Sequence, residues 1–78
     1  MRERRSRVVI TFYTTAEAMA MERLCIKLRI DGKLISAPRE LSADCGIAWS
    51  SPPAEEERIR EALAETGLEF QGIHRMEI

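Results

Sequence analysis

Cys45 lies in the run Pro38-Arg39-Glu40-Leu41-Ser42-Ala43-Asp44-Cys45-Gly46-Ile47-Ala48-Trp49, where a polar segment turns into an apolar one. A structural cysteine usually sits inside an apolar run. One placed in a loop and followed by glycine can expose its sulfur and leave its backbone open to close approach. The chemistry on offer is nucleophilic, and the thiolate is the reacting form. Arg39 adds positive charge that favours a thiolate, whereas Glu40 and Asp44 oppose it. Asp44→Asn should therefore quicken the thiol and Arg39→Ala should slow it.

The second cysteine, Cys25, falls among Met21, Leu24 and Leu28 and reads as a small core residue. The two cysteines are not expected to be bonded, because a bridge needs Cα atoms within about 7 Å. His74 is the only histidine. A Cys–His pair would be a nucleophile with its base, but His74 is expected near the far end of the last strand, remote from Cys45. Two cysteines and one histidine do not make a zinc site. No glycine-rich phosphate loop is present, and neither a metal nor a cofactor is expected.

The elements that position Cys45 follow from periodicity and caps. Val8-Val9-Ile10-Thr11-Phe12-Tyr13 is β-branched and aromatic, a strand over about 7–13 with both faces covered. Thr14 with Glu17 three positions on is a capping-box signal, and a helix follows over about 15–28. Its apolar stripe reads as Ala16, Met19, Ala20, Leu24 and Leu28, with Glu17, Glu22, Arg23, Lys27 and Arg29 on the polar side. Lys33 to Ala37 is a short strand stopped by Pro38. Gly46 to Ser50 is a third strand, with Trp49 its anchor in the core.

Pro53 suits the first position of a second helix over about 53–65. Glu55, Glu56 and Glu57 sit in its first turn, and Ile59, Ala62 and Leu63 form its stripe. Gly67 caps that helix, and residues 69–75 form the last strand. The order βαββαβ is the ferredoxin-like α+β pattern, a four-stranded antiparallel sheet with two helices on one face. In that topology the first helix starts at the rim that carries the Cys45 loop. Thr14 and Thr15 would then offer backbone N–H groups to an anion there.

The chain has 78 residues, one domain with little room for a deep cleft. Twelve Lys and Arg against 13 Asp and Glu argue against nucleic acid as the main partner. Residues 1–6 read as a flexible basic tail. No apolar run reaches the roughly 18 residues of a membrane span and no signal-peptide pattern is found, so a cytoplasmic, reducing setting is expected.

The residues Arg39-Glu40-Leu41-Ser42 leading to Cys45-Gly46-Ile47-Ala48 resemble the signature of the selenium/sulfur carrier protein-like family. Phe12 to Ala16, Gly32-Lys33-Leu34-Ile35, Pro38-Arg39-Glu40, and Gly67 through Gly72-Ile73 also agree in kind and order, so the resemblance covers nearly the whole chain. Two departures stand out. Arg29 occupies the place where such sequences often have a glycine ending the first helix, and Asp44 puts a carboxylate directly before Cys45.

The resemblance implies a carrier rather than an enzyme in its own right. Cys45 would hold sulfur or selenium as a persulfide or selenosulfide, with Arg39 stabilising the thiolate and Thr14, Thr15, Pro38, Ser42 and Gly46 shaping the binding rim. Donor and acceptor proteins such as a cysteine desulfurase would be its partners. Two other readings remain: a ferredoxin-like domain that binds a protein or small ligand without chemistry, and a thiol redox sensor.

Overall fold

The computed structural model describes residues 5–41 and 43–78. Four strands and two helices follow in the order β1 (Ser6–Thr11), α1 (Thr15–Leu28), β2 (Lys33–Ser36), β3 (Ile47–Ser51), α2 (Glu56–Thr66) and β4 (Gly72–Glu77). The strands form one antiparallel sheet in the order β2-β3-β1-β4. Both helices pack on the same face of it, which makes this the ferredoxin-like α+β fold.

Alternation along each strand decides what faces the helices. Val8, Ile10 and Phe12 of the β1 segment point to the helix side and meet Trp49, Met21, Cys25, Ile59 and Leu63. Phe12, Ile10, Met21 and Ile59 are fully buried, each contributing about 1.5–3 kcal/mol of transfer free energy. Val9 and Thr11 point to the other face, yet both are also buried. A strand covered on both faces reads as an unbroken β-branched run, as β1 does.

α1 begins with a complete capping box. The Glu17 N–H donates to Thr14 Oγ1 at 3.2 Å, and the Tyr13 and Thr14 N–H groups donate to Glu17 Oε1. The buried face of α1 is Ala18, Met21 and Cys25, not the stripe expected from periodicity. Met19 and Leu28 of that expected stripe are exposed, and so is Ile26. Both sides of α1 carry apolar residues at helical spacing, and packing onto β1 and β3 selects the side with the smaller residues Ala18 and Cys25.

α1 ends on Arg29, which stands in the left-handed conformation with φ 57°. This is the position where glycine was the expected residue, and a non-glycine there carries backbone strain. Arg58 offsets part of it by donating from its guanidinium to the carbonyls of Leu28 and Arg29.

The second helix starts later than expected. Pro53–Glu55 form a 3-10 turn, and α2 proper opens at Glu56. Glu55 accepts the Asp31 N–H at 2.7 Å and pairs with Arg58 at 3.1 Å, and these partners lower its pKa in that order of importance. Glu56 bridges Arg75 of β4 at 2.7 Å and Arg60 at 2.9 Å and is lowered likewise. Ile59, Ala62 and Leu63 are buried as expected, and Gly67 caps the helix with φ 70°.

β4 departs most from expectation, since it runs over Gly72–Glu77 and not 69–75. Ser6 already belongs to β1, and Arg5 exchanges two 3.0 Å backbone hydrogen bonds with Ile78. The described end of the expected basic tail is therefore tied to the sheet, and residues 1–4 lie outside the described residues. Among the described residues no helix is long and apolar enough to cross a membrane.

Gly32, just before β2, is pressed against β3. A Cβ there would stand 2.5 Å from Ser51 Oγ, 2.6 Å from the Ser50 carbonyl oxygen and 2.7 Å from the Trp49 ring. Those atoms are held in place, because the Trp49 indole N–H donates to Ser51 Oγ and the Ser51 hydroxyl donates to the Asp31 carbonyl. Gly32→Ala should thus destabilise by about 1–3 kcal/mol, read as a lower urea midpoint. Arg29→Gly should stabilise by about 1 kcal/mol, read as a higher midpoint, because glycine relieves the left-handed strain. An unchanged midpoint in either variant would contradict the packing or the strain described.

Candidate functional site

The site is the rim where β1 ends and β3 begins, fixed by the pairing of Thr11 with Ala48. The segment between β2 and β3 arches over this rim. Its base is closed by the Ala37 N–H donating to the Gly46 carbonyl at 2.9 Å. Pro38 accepts the Leu41 N–H and so closes the 3-10 turn Arg39–Leu41. The Gly46 N–H reaches the Ala43 carbonyl at 3.4 Å, which makes Ala43-Asp44-Cys45-Gly46 a tight turn. Gly46 has φ 75°, the left-handed conformation that redirects the chain into β3.

Cys45 is half-buried, not freely exposed as its polar neighbours suggested. Its side chain packs against the helix-side core with Leu34 and Ile47, and its Sγ–H donates to the Ile47 carbonyl at 3.2 Å. Asp44 is exposed, and its N–H donates to Gln71 Oε1 at 3.2 Å. Arg39 is exposed at the start of the 3-10 turn, and among the described residues no hydrogen bond joins it to Cys45. Ser42 lies outside the described residues.

Thr14 and Thr15 stand at this same end of the sheet. Some of the donors there are taken: the Tyr13 and Thr14 N–H groups donate to the Glu17 carboxylate and the Glu17 N–H to Thr14 Oγ1. The cap thus brings a carboxylate to the helix end that would otherwise attract an anion.

His74 is nearer the rim than expected, because β4 starts at Gly72 and makes His74 its third residue. Its Nε2 lies 3.3 Å from Thr11 Oγ1, and its ring occupies the space a Cβ on Gly72 would need. Thr11 and His74 are on the face of the sheet away from the helices, whereas Cys45 packs on the helix side. They do not form a Cys–His pair. Gln71, which braces the Cys45 turn, was not singled out from the sequence. Its lone signal there was its place directly before Gly72.

Cys25 is fully buried in the core, and both cysteines are free thiols. Burial, with the Glu55 carboxylate adding to it and Arg58 opposing it, pushes the Cys25 thiol from 9.0 up to about 11. Among the described residues, no three or more His, Cys, Asp and Glu side chains gather as a metal site. The open grooves on the surface include one of about 180 Å³ between α2 and β4, lined by Leu63, Phe70 and Ile73.

Residues 7–75 match the family described as "Putative Se/S carrier protein-like". The chain belongs to the Se/S carrier protein-like family. No curated protein and no solved structure matched the chain. The matched span contains both helices, all of β2 and β3 and most of β1 and β4.

The contrast between the two thiols is measurable. Cys45 should be alkylated by iodoacetamide on the order of a thousandfold faster than Cys25, whose reaction must wait for global unfolding. The pH dependence has a definite sign. Below pH 9 Cys25 is a thiol in both folded and unfolded chains. Between 9.0 and about 11 only the unfolded chain loses its proton, so stability falls as pH rises through that window. Cys25→Ala should reduce this fall in urea titrations from pH 8 to about 11; an unchanged slope would mean that Cys25 is not the group responsible.

Proposed function

We propose that this protein is a sulfur or selenium carrier that holds the chalcogen on Cys45. Membership of the Se/S carrier protein-like family supplies the cargo class. The observation that carries the assignment to Cys45 is the division of labour between the two thiols. Cys25 is sealed in the core, whereas Cys45 is within solvent reach on a surface turn. A carrier needs one accessible thiol and no second thiol close enough to resolve its persulfide early.

The chemistry needs no oxidant. The Cys45 thiolate attacks the outer sulfur of a donor persulfide. The donor's S–S bond breaks, its thiolate leaves, and Cys45 becomes a persulfide. Delivery reverses the roles: an acceptor thiolate takes the terminal sulfur, and Sγ departs as thiolate. Selenium follows the same path through a selenosulfide. Before attack, Sγ must leave its bond to the Ile47 carbonyl. A turn of the Cys45 side chain breaks that bond and asks nothing of the β3 backbone. Arg39 on the same arch is the cation available to a transferring anion, and Pro38, Gly46, Thr14 and Thr15 shape the rim around it. A protein presenting a persulfide, such as a cysteine desulfurase, is the partner of matching chemistry, and a reducing compartment suits a free thiol.

Incubation with a cysteine desulfurase and cysteine, followed by intact mass, tests this reading. The wild type should gain the mass of one sulfur atom, lost again on treatment with a reductant. Cys45→Ser should gain nothing while keeping its fold, and Cys25→Ala should load like the wild type. No gain in the wild type, or undiminished loading of Cys45→Ser, would leave the rim as a protein-interaction surface. A disulfide or sulfenic acid under mild peroxide, without sulfur loading, would favour a redox sensor.

A further inference from the structure

Most hydrogen bonds of the Cys45 arch are local. Ala37 bonds to Gly46, Leu41 to Pro38, Gly46 to Ala43, and Cys45 to Ile47. Among the described residues, one hydrogen bond joins residues 37–46 to a distant part of the chain, and its acceptor is Gln71. Gln71 is half-buried just before β4 and uses both of its ends. Its backbone N–H donates to the Thr11 carbonyl at 2.6 Å, which anchors it to the end of the central strand. Its side-chain Oε1 accepts the Asp44 N–H at 3.2 Å, 27 positions away. The brace therefore runs from β1 through one side chain to the residue directly before Cys45.

We propose that Gln71 is a positioning residue for Cys45: by holding the Asp44 N–H it fixes the turn that aims Sγ. The inference takes its chemistry from the reading of Cys45 as the carrier thiol, whereas its geometry stands without that reading. Transfer between sulfurs requires the attacking sulfur to approach along the bond that breaks, so a turn that wanders costs rate even when its thiol is more accessible. Local bonds alone leave the arch free to pivot on β2 and β3. A tertiary acceptor on the opposite edge of the sheet removes that freedom.

Two variants separate positioning from bulk stability. Gln71→Met keeps length and removes the acceptor, and Gln71→Glu keeps an Oε acceptor. In Gln71→Met, amide exchange at Asp44 and iodoacetamide labelling of Cys45 should each rise about fivefold, with Cys25 labelling unchanged. Sulfur loading from a desulfurase persulfide should show kcat lower by about tenfold with KM unaltered. Gln71→Glu should restore the Asp44 amide protection. Should the methionine variant fail to fold, Gln71→Asn, which draws the acceptor back by one methylene, serves the same comparison.

Wild-type Asp44 exchange and Cys45 labelling in Gln71→Met would overturn the proposal. So would a parallel rise in Cys25 labelling, which marks general loosening. A wild-type protein that takes no sulfur, with the Asp44 and Cys45 shifts still present, would overturn the carrier reading and uphold the brace.

Discussion

Everything at the site hangs on where β1 ends. Thr11 is the last residue of a strand that pairs on one side with β3 and on the other with β4. Its Cα neighbours are Ala48 and Gly72, its carbonyl takes the Gln71 N–H, and its hydroxyl contacts the Gly72 carbonyl and His74. One residue later, Phe12 turns into the core, and two after that Thr14 caps α1. A register slip of β1 by one residue would turn Val8, Ile10 and Phe12 away from the helices. It would also carry the anchor of Gln71 with it. The burial of Val8, Ile10 and Phe12 against the helices is thus what makes the position of Cys45 definite.

The order of elements was legible in the sequence because each carried two agreeing signals. The capping box at Thr14 and Glu17 agreed with the end of the β-branched run, and Gly67 agreed with the stripe Ile59, Ala62 and Leu63. Arg29 as an imperfect helix end was also legible, and its left-handed backbone bears that out. The face of α1 was not, because two apolar stripes share that helix and only tertiary packing chooses between them. The start of β4 was missed for a related reason. Phe70 and Ile73 both pack on the helix side, yet they stand three residues apart. A regular strand cannot put both on one face. The chain must break its alternation between them, and Gln71 with Gly72 is where it does.

The candidate site was half legible. A cysteine before glycine at a polar-to-apolar boundary marked Cys45 and the turn. What the sequence could not give was the direction of Sγ, which depends on Gly46 adopting φ 75° and on the arch being closed by Ala37. The same folding that brings Thr14 and Thr15 to the rim also spends the Thr14 N–H on Glu17, a consequence of the capping box already visible in the residues. His74 was misplaced only because the last strand was started three residues too early.

The half-buried state of Cys45 bears on how a thiol can be kept ready without being spent. A fully exposed cysteine reacts with any small oxidant or electrophile, whereas one sealed like Cys25 reacts with nothing until the domain opens. Cys45 stands between these limits. Packing against the core covers part of the side chain, and the Ile47 carbonyl occupies its proton. A partner that docks on the rim can draw Sγ away from that carbonyl by rotating one side chain, while the backbone of the turn stays held by Gln71 and Gly46. On the proposed reading, the work of this small domain is then to hold a single thiol in a fixed place and to surrender it only to a surface large enough to cover the rim.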